Sequence, residues 1–438
     1  MADERPNVVF ILTDDQGPWA ASCCGNSEIR TPGIDRIAAT GTRLANFFVA
    51  TPVCSPSRAT YLTGRIPSQH GIHEWVSKGN CAPDSIEYLR DEVAYTDVLA
   101  AQGYTCGISG KWHMGASETP QHGFSSWYVH QTGGGDYNAA PVVRDGQRII
   151  EKGYITDVIT DEALKFLDAH HAERFYLSVH YTAPHSPWTG HPQDIVDSYD
   201  DCPFESCPQE PRHPWAIGLT DNCLGNREML KGYFAAVTAM DRGVVAILDR
   251  IEALGLRENT LVVFTSDNGF SCGHHGFWGK GNGTRPRNMY ENSIKVPFVL
   301  SHPGHVPAGR VETAMTTAYD FMPTLLDYLG LPVPEEPNLP GRSCAPLWRG
   351  ESMGGHEVVV VYDEYGPVRM IRTKDWKYVD RYPDGPPELF DMANDPDERR
   401  NLAGDPAQAA RIGELRSELE KWFARYVVPE RDGRKETY

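Results

Sequence analysis

Short runs of β-branched and aromatic residues alternate, through the first three quarters of the chain, with stretches whose apolar positions recur every three or four residues. The runs at 7–13, 105–109, 175–180, 261–266 and 296–301 predict strands. In Val8-Val9-Phe10-Ile11-Leu12 the apolar residues are continuous, the pattern of a strand buried on both faces of a parallel sheet. Between the runs, 34–40, 96–102, 157–170 and 232–254 carry helical spacing. Strands and helices in alternation predict an α/β layered domain.

The pattern breaks twice. Residues 184–226 are rich in Pro, Asp and Cys and have no period, which reads as an insertion or lid over the sheet edge. Near 331–355, Pro332, Pro334, Pro337 and Pro340 mark a linker. Beyond it, 356–362, 368–372 and 377–380 read as short antiparallel strands. Ile412, Leu415, Leu419, Trp422, Phe423 and Tyr426 then share one face of a final helix. The expected organisation is a large α/β domain over 1–350 and a smaller C-terminal α+β subdomain over 351–438.

Composition narrows the function. With 40% apolar residues the chain folds into a globular protein. Its 41 basic and 59 acidic residues leave a net charge of −18, which argues against nucleic acid as a partner but not against a small anion in a locally basic pocket. No apolar run reaches the ~20 residues of a membrane span. The start, Met1-Ala2-Asp3-Glu4-Arg5-Pro6, has no apolar signal region, so a cytoplasmic location without membrane attachment is expected. Ten cysteines at irregular spacings do not form a disulfide scaffold, and reduced thiols are expected.

Ligands of an open parallel sheet bind beyond the carboxyl ends of its strands, so the residues at the strand exits matter most. The first strand exits into Asp14-Asp15 and the strand at 261–266 into Asp267-Asn268. These groups are hard oxygen donors, suited to Ca²⁺ or Mg²⁺ and not to zinc, although one Asp pair alone is as compatible with a turn or helix cap. Cys54 precedes a helical pattern, where a helix N-terminus favours anions; a soft thiolate, however, suits a hard cation poorly. The strand at 105–109 exits into Lys111 and His113, and the strand at 175–180 into His185, with His180 the alternative. Lys280 stands in Gly279-Lys280-Gly281-Asn282-Gly283, which lacks the spacing of a phosphate-binding Walker loop. His73-Glu74 and His356-Glu357 lack the second His of a zinc protease.

Cys54-x-Pro56-x-Arg58 followed by Leu62-Thr63-Gly64-Arg65 resembles the signature of the sulfatase family, within the alkaline-phosphatase-like superfamily. The segment from Pro332 onward, with Glu388-Leu389-Phe390-Asp391, Asn394-Asp395-Pro396 and Asn401-Leu402, is similar to that family's C-terminal subdomain. The resemblance spans nearly the whole chain and implies a large mixed, mostly parallel sheet sandwiched by helices. It implies that a formylglycine-generating enzyme converts Cys54 to formylglycine, and that Asp14, Asp15, Asp267 and Asn268 bind Ca²⁺ beside it. Arg58, Lys111, His113, His185 and Lys280 would complete a sulfate pocket.

The implied reaction is hydrolysis of a sulfate monoester. One hydroxyl of the hydrated aldehyde attacks sulfur, Lys280 or His185 protonates the leaving alcohol, and His113 deprotonates the second hydroxyl to expel sulfate. The family's pocket lysine often lies nearer a Tyr-Glu pair than Lys280 does to Tyr290-Glu291, and Arg287 occupies that nearer place. Trp75, Trp188, Trp215 and Trp278, with Asp136, His274, His275 and Arg285, would suit stacking and hydrogen bonding to a sugar, making a sulfated small molecule or saccharide the expected substrate. The rival readings are a phosphoester or phosphonate ester hydrolase of the same superfamily, and a non-catalytic carbohydrate binder.

Overall fold

The computed structural model describes residues 5–334, 338–363, 365–383 and 385–435. Met1 to Glu4 and the linker's Pro337 lie outside them. Among the described residues, ten strands form one sheet. Their order is Arg310–Glu312, Thr42–Leu44, Phe298–Ser301, Thr260–Ser266, Asn7–Thr13, Phe175–His180, Thr105–Gly110, Phe124–His130, Ala139–Arg144, Gln147–Lys152. From Thr260–Ser266 to Phe124–His130 neighbouring strands are parallel, while antiparallel pairs flank them on both sides. The sheet is thus mixed and mostly parallel.

Alternate side chains of the central strand enter different cores. Val9 and Ile11 join a cluster with Ile159, Leu167, Phe234 and Ile247 from the helices Ile155–His170 and Arg227–Ala253. Val8, Phe10 and Leu12 join the opposite cluster, with Tyr61, Leu99 and Phe321 from Cys54–Thr63, Tyr95–Ala101 and Phe321–Tyr328. Helices on both faces explain why the strand's apolar run is continuous.

Three expectations are corrected. The strand read at 296–301 begins at Phe298 and is antiparallel, pairing Val299 with Phe264. The chain between Ser266 and Phe298 makes a small two-stranded ribbon and short helices, without the long crossover helix that usually makes a parallel return. The segment 184–226 is a fixed cover: its Tyr199, Phe204, Cys207 and Cys223 belong to the core, and Glu210 N donates to Gly273 O (3.3 Å). The third correction adds strands the periodicity did not show, Phe124–His130 with the hairpin Ala139–Arg144 and Gln147–Lys152.

Val358–Asp363, Val368–Thr373, Trp376–Arg381 and Glu388–Asp391 form a separate antiparallel sheet; the last of these strands was not expected. Leu415, Leu419 and Phe423 of the helix Ala409–Tyr426 cover one face, and the other face packs on Phe48, Met289 and Ile294. No helix of the described residues is long and apolar enough to cross a membrane.

Candidate active site

Thr13 and Ser266 end adjacent parallel strands in register, so Asp14 and Asp267 emerge side by side at the carboxyl edge of the sheet. Asp15 turns away in a left-handed conformation, φ 63°. Cys54 is the first residue of the helix Cys54–Thr63. One ligand atom from each of Asp14, Asp15, Cys54 and Asp267 lies within 4.8 Å of the others, and all four residues are buried. The Asn268 Oδ1 is buried without a hydrogen-bond partner, while its Nδ2 donates to Asp15 Oδ1 (2.7 Å). A buried amide oxygen left unsatisfied beside three carboxylates is a donor set that a hard cation completes.

The charges point the same way. Burial pushes Asp14 up, but Lys111, with His185, Lys280 and Arg58, outweighs it and holds the carboxyl well below its usual range. Burial and the neighbouring Asp14 push Asp267 up to about 6, against the pull of Arg58. Burial, reinforced by Asp14, pushes the Cys54 thiol up to about 12, so at neutral pH the sulfur is protonated and a weak nucleophile. Crowded carboxylates fit a divalent cation, whereas the neutral thiol fits neither as hard ligand nor as nucleophile.

The lysines bridge the acids to a cavity of about 470 Å³, the size of a small-molecule site. Lys111 Nζ pairs with Asp14 Oδ2. Lys280 Nζ lies 2.5 Å from Asp15 Oδ1 and 2.8 Å from Cys54 Sγ. Burial opposes the Lys280 charge, but Asp15 and Asp14 keep the ammonium protonated. Cys54, Lys111, His113, His185 and Lys280 all line this cavity. His113, held at φ 60°, donates through Nε2 to Val76 O (3.1 Å), which leaves its buried Nδ1 without a partner. Burial, then Lys111 and Arg58, holds its pKa well below the usual imidazole value, so the ring is neutral with a free lone pair. His185 Nδ1 donates to Ser186 O (2.8 Å), and its Nε2 faces Asp15 Oδ2 at 3.8 Å.

The members of the two open pairs take different positions. His180 is buried beneath the site, its Nδ1 on Lys111 O (3.1 Å), and His185 is the ring at the cavity. Arg287 faces Asp363 (3.3 Å) and Tyr365, whereas Lys280 reaches Asp15 in the cluster. Arg58 departs from expectation. Its guanidinium is not part of the cavity wall; it lies below, bonding Asp267 Oδ2 and the Lys111 carbonyl (2.8 and 2.9 Å), and so fixes the acid and the backbone of the lysine.

Of the eight residues expected to suit a sugar, Trp75 lines the cavity, whereas Trp188, His275, Asp136 and Arg285 do not. Trp188 is 4% exposed, its ring packed among Tyr233, Phe270 and Trp278. His275 stacks on Tyr290 at 3.9 Å. Asp136 caps its own turn by accepting from Asn138 N, and Arg285 is exposed on a loop outside the cavity. The walls that the sequence did not single out include Asn80 and Gly133 to Gly135, the glycines on the exit of Phe124–His130. Three consecutive glycines were the available signal.

The Sulfatase family model matches residues 6–331, and that of N-sulphoglucosamine sulphohydrolase, C-terminal, matches 273–425. An N-acetylglucosamine-6-O-sulfatase of Bacteroides thetaiotaomicron is 29% identical over 97% of this chain and 87% of its own length. An ulvan-active sulfatase of Formosa agariphila is 29% identical over 96% of the chain and 81% of its own. The structure of BT4656 in complex with its substrate D-glucosamine-2-N,6-O-disulfate superposes with a TM-score of 0.84 at 27% identity, covering 99% of this chain and 100% of that one. The alkaline-phosphatase-like sheet and the match over most of the chain lead to one conclusion: this protein belongs to the sulfatase family and is a sulfuric ester hydrolase.

Proposed function

We propose that this sulfatase cleaves the sulfate monoester of a saccharide, with residue 54 as nucleophile after conversion of Cys54 to formylglycine, and with Ca²⁺ held by Asp14, Asp15, Asp267 and Asn268. The observation that carries the reading is the cavity floor, where the residue 54 side chain meets an ammonium group and a cluster of acids. The saccharide class is supported by the substrates named for two relatives, an N-acetylglucosamine 6-O-sulfate and a glucosamine disulfate.

When bound, Ca²⁺ supplies positive charge to the sulfuryl oxygens and eases loss of a proton from an oxygen at residue 54. Formylglycine supplies a hydrated aldehyde, one hydroxyl for attack and a second whose deprotonation releases sulfate. The chain's own residues do the rest. Lys111 and Lys280 present fixed ammonium groups to the charge on the sulfuryl oxygens, in a site where they need no reorganisation. His113, neutral and with Nδ1 free, accepts the proton of the second hydroxyl. His185 Nε2 or Lys280 hands a proton to the departing alcohol, and Arg58 positions Asp267 from below.

The test is turnover of N-acetylglucosamine 6-sulfate, glucosamine-2-N,6-O-disulfate, nitrophenyl sulfate and nitrophenyl phosphate by protein whose residue 54 has been verified as formylglycine by peptide mass spectrometry. Sulfate esters are expected to outrun the phosphate ester, and Asp267→Ala is expected to lose metal and activity together. Faster phosphate turnover would move the chemistry to phosphorus esters, and unchanged metal content in Asp267→Ala would displace the cation site.

A further inference from the structure

Beside the catalytic cavity lies a second hollow of about 370 Å³, whose walls include Glu74, Lys78, Tyr88 and Arg431. The two share one partition, Trp75-Val76-Ser77. Val76 anchors it: its side chain is buried, its N–H donates to Ser55 Oγ (2.9 Å), and its carbonyl accepts from Asn80 Nδ2 and meets the His113 ring. Trp75, one residue earlier, is 49% exposed on top of this fixed base. Ile86 and Tyr88 are exposed close by, at 45% and 36%. Large apolar side chains left in water beside a catalytic cavity mark a surface that another molecule covers. Lys78 is exposed and has no carboxylate partner among the described residues.

Resting on the saccharide reading above, we propose that Trp75 stacks the sugar ring next to the sulfated one, that the hollow beyond it receives this second ring, and that the enzyme therefore acts on oligosaccharides. The flat indole matches the apolar C–H face of a pyranose, and the remaining walls supply what its equatorial groups need: the Glu74 carboxylate for hydroxyls and the unpaired Lys78 ammonium for an anionic substituent. A single ring held in the catalytic cavity would leave this partition and its far side in water. A chain continuing past the sulfated ring covers both.

Release of sulfate is measured from N-acetylglucosamine 6-sulfate and from the two disaccharides that carry a further N-acetylglucosamine on either side of that ring. The wild-type enzyme is expected to cleave at least one disaccharide with kcat/KM tenfold or more above the monosaccharide. Trp75→Ala and Tyr88→Ala are each expected to bring that ratio toward one, and Trp75→Phe to keep part of it. Tyr88 does not line the catalytic cavity, so its effect on the ratio reads the hollow and not the chemistry. A wild-type ratio near one, or a ratio that Trp75→Ala leaves intact, overturns the inference and spares the saccharide reading. Turnover of nitrophenyl sulfate with none of any sulfated sugar overturns both.

Discussion

The His113 ring lies so close to the Gly133 backbone that a β-carbon at 133 would come within 2.3 Å of its Cε1 and 2.4 Å of its Nε2. A contact that short moves the ring, which the Nε2 bond to Val76 O otherwise holds in place. Gly133→Ala is therefore expected to lower kcat by about a hundredfold, the scale of an ångström-sized misplacement. Metal content and thermal stability should stay near the wild-type values, since Gly133 touches neither the acids nor the core clusters. Elemental analysis beside steady-state kinetics checks it, and a variant with unchanged kcat would remove His113 from the rate-limiting chemistry.

At the scale of elements, the N-terminus of the helix Pro32–Ala39 meets a carboxyl from the helix Arg227–Ala253. Asp241 accepts from Gly33 N and Ile34 N at 2.7 and 2.8 Å. The two donors and the helix end favour a charge, but burial, with Asp35 nearby, pushes its pKa up to about 7. The unfolded carboxyl ionises near 4, so this group's contribution to stability is full below that pH and is lost as pH rises toward 7. Relative to Asp241→Asn, which cannot titrate, the wild-type protein should lose up to roughly 4 kcal/mol across that window in denaturant titrations. A flat difference would mean that the two N–H groups keep the carboxylate charged throughout. The elements that frame the site differ in how openly they announce themselves. The buried parallel strands Asn7–Thr13 and Thr260–Ser266 carry apolar runs, so the exits with Asp14 and Asp267 could be read directly, while Thr105–Gly110 before Lys111 is a weaker run of small residues. Phe124–His130 and its hairpin lie toward the sheet edge with mixed burial, which dilutes the apolar signal. Asp145-Gly146, both left-handed at φ 51° and 74°, was the readable sign of that hairpin. Trp188 and Trp75 look alike in the sequence, since a tryptophan in a loop does not reveal which side faces the core; only packing separates the buried one from the exposed one.

Across the whole molecule, the segment around Cys54 is enclosed by chain from every part of the sequence. All ten residues of Cys54–Thr63 are buried. Tyr61 bonds Ser266 O, Ser68 N donates to the Tyr362 hydroxyl, and Gln69 Nε2 reaches the carbonyl of Tyr426 at the end of the last long helix. Arg431 closes over the Gln69 carbonyl and Glu92. If Cys54 is converted as proposed, the modifying enzyme would have to reach a residue that this enclosure buries. Folded chain with an unmodified cysteine should resist conversion in vitro, while a peptide spanning residues 50–66 is converted, as peptide mass spectrometry would show. Because the residues that seal the segment, Ser266, Tyr362, Tyr426 and Arg431 among them, follow Cys54 in the chain and are made after it, synthesis itself would set a clock. On the proposed chemistry, chains that close around an unconverted thiol would be locked out of activity, so slower synthesis of the chain beyond Cys54 should give a more active protein from the same genetic message.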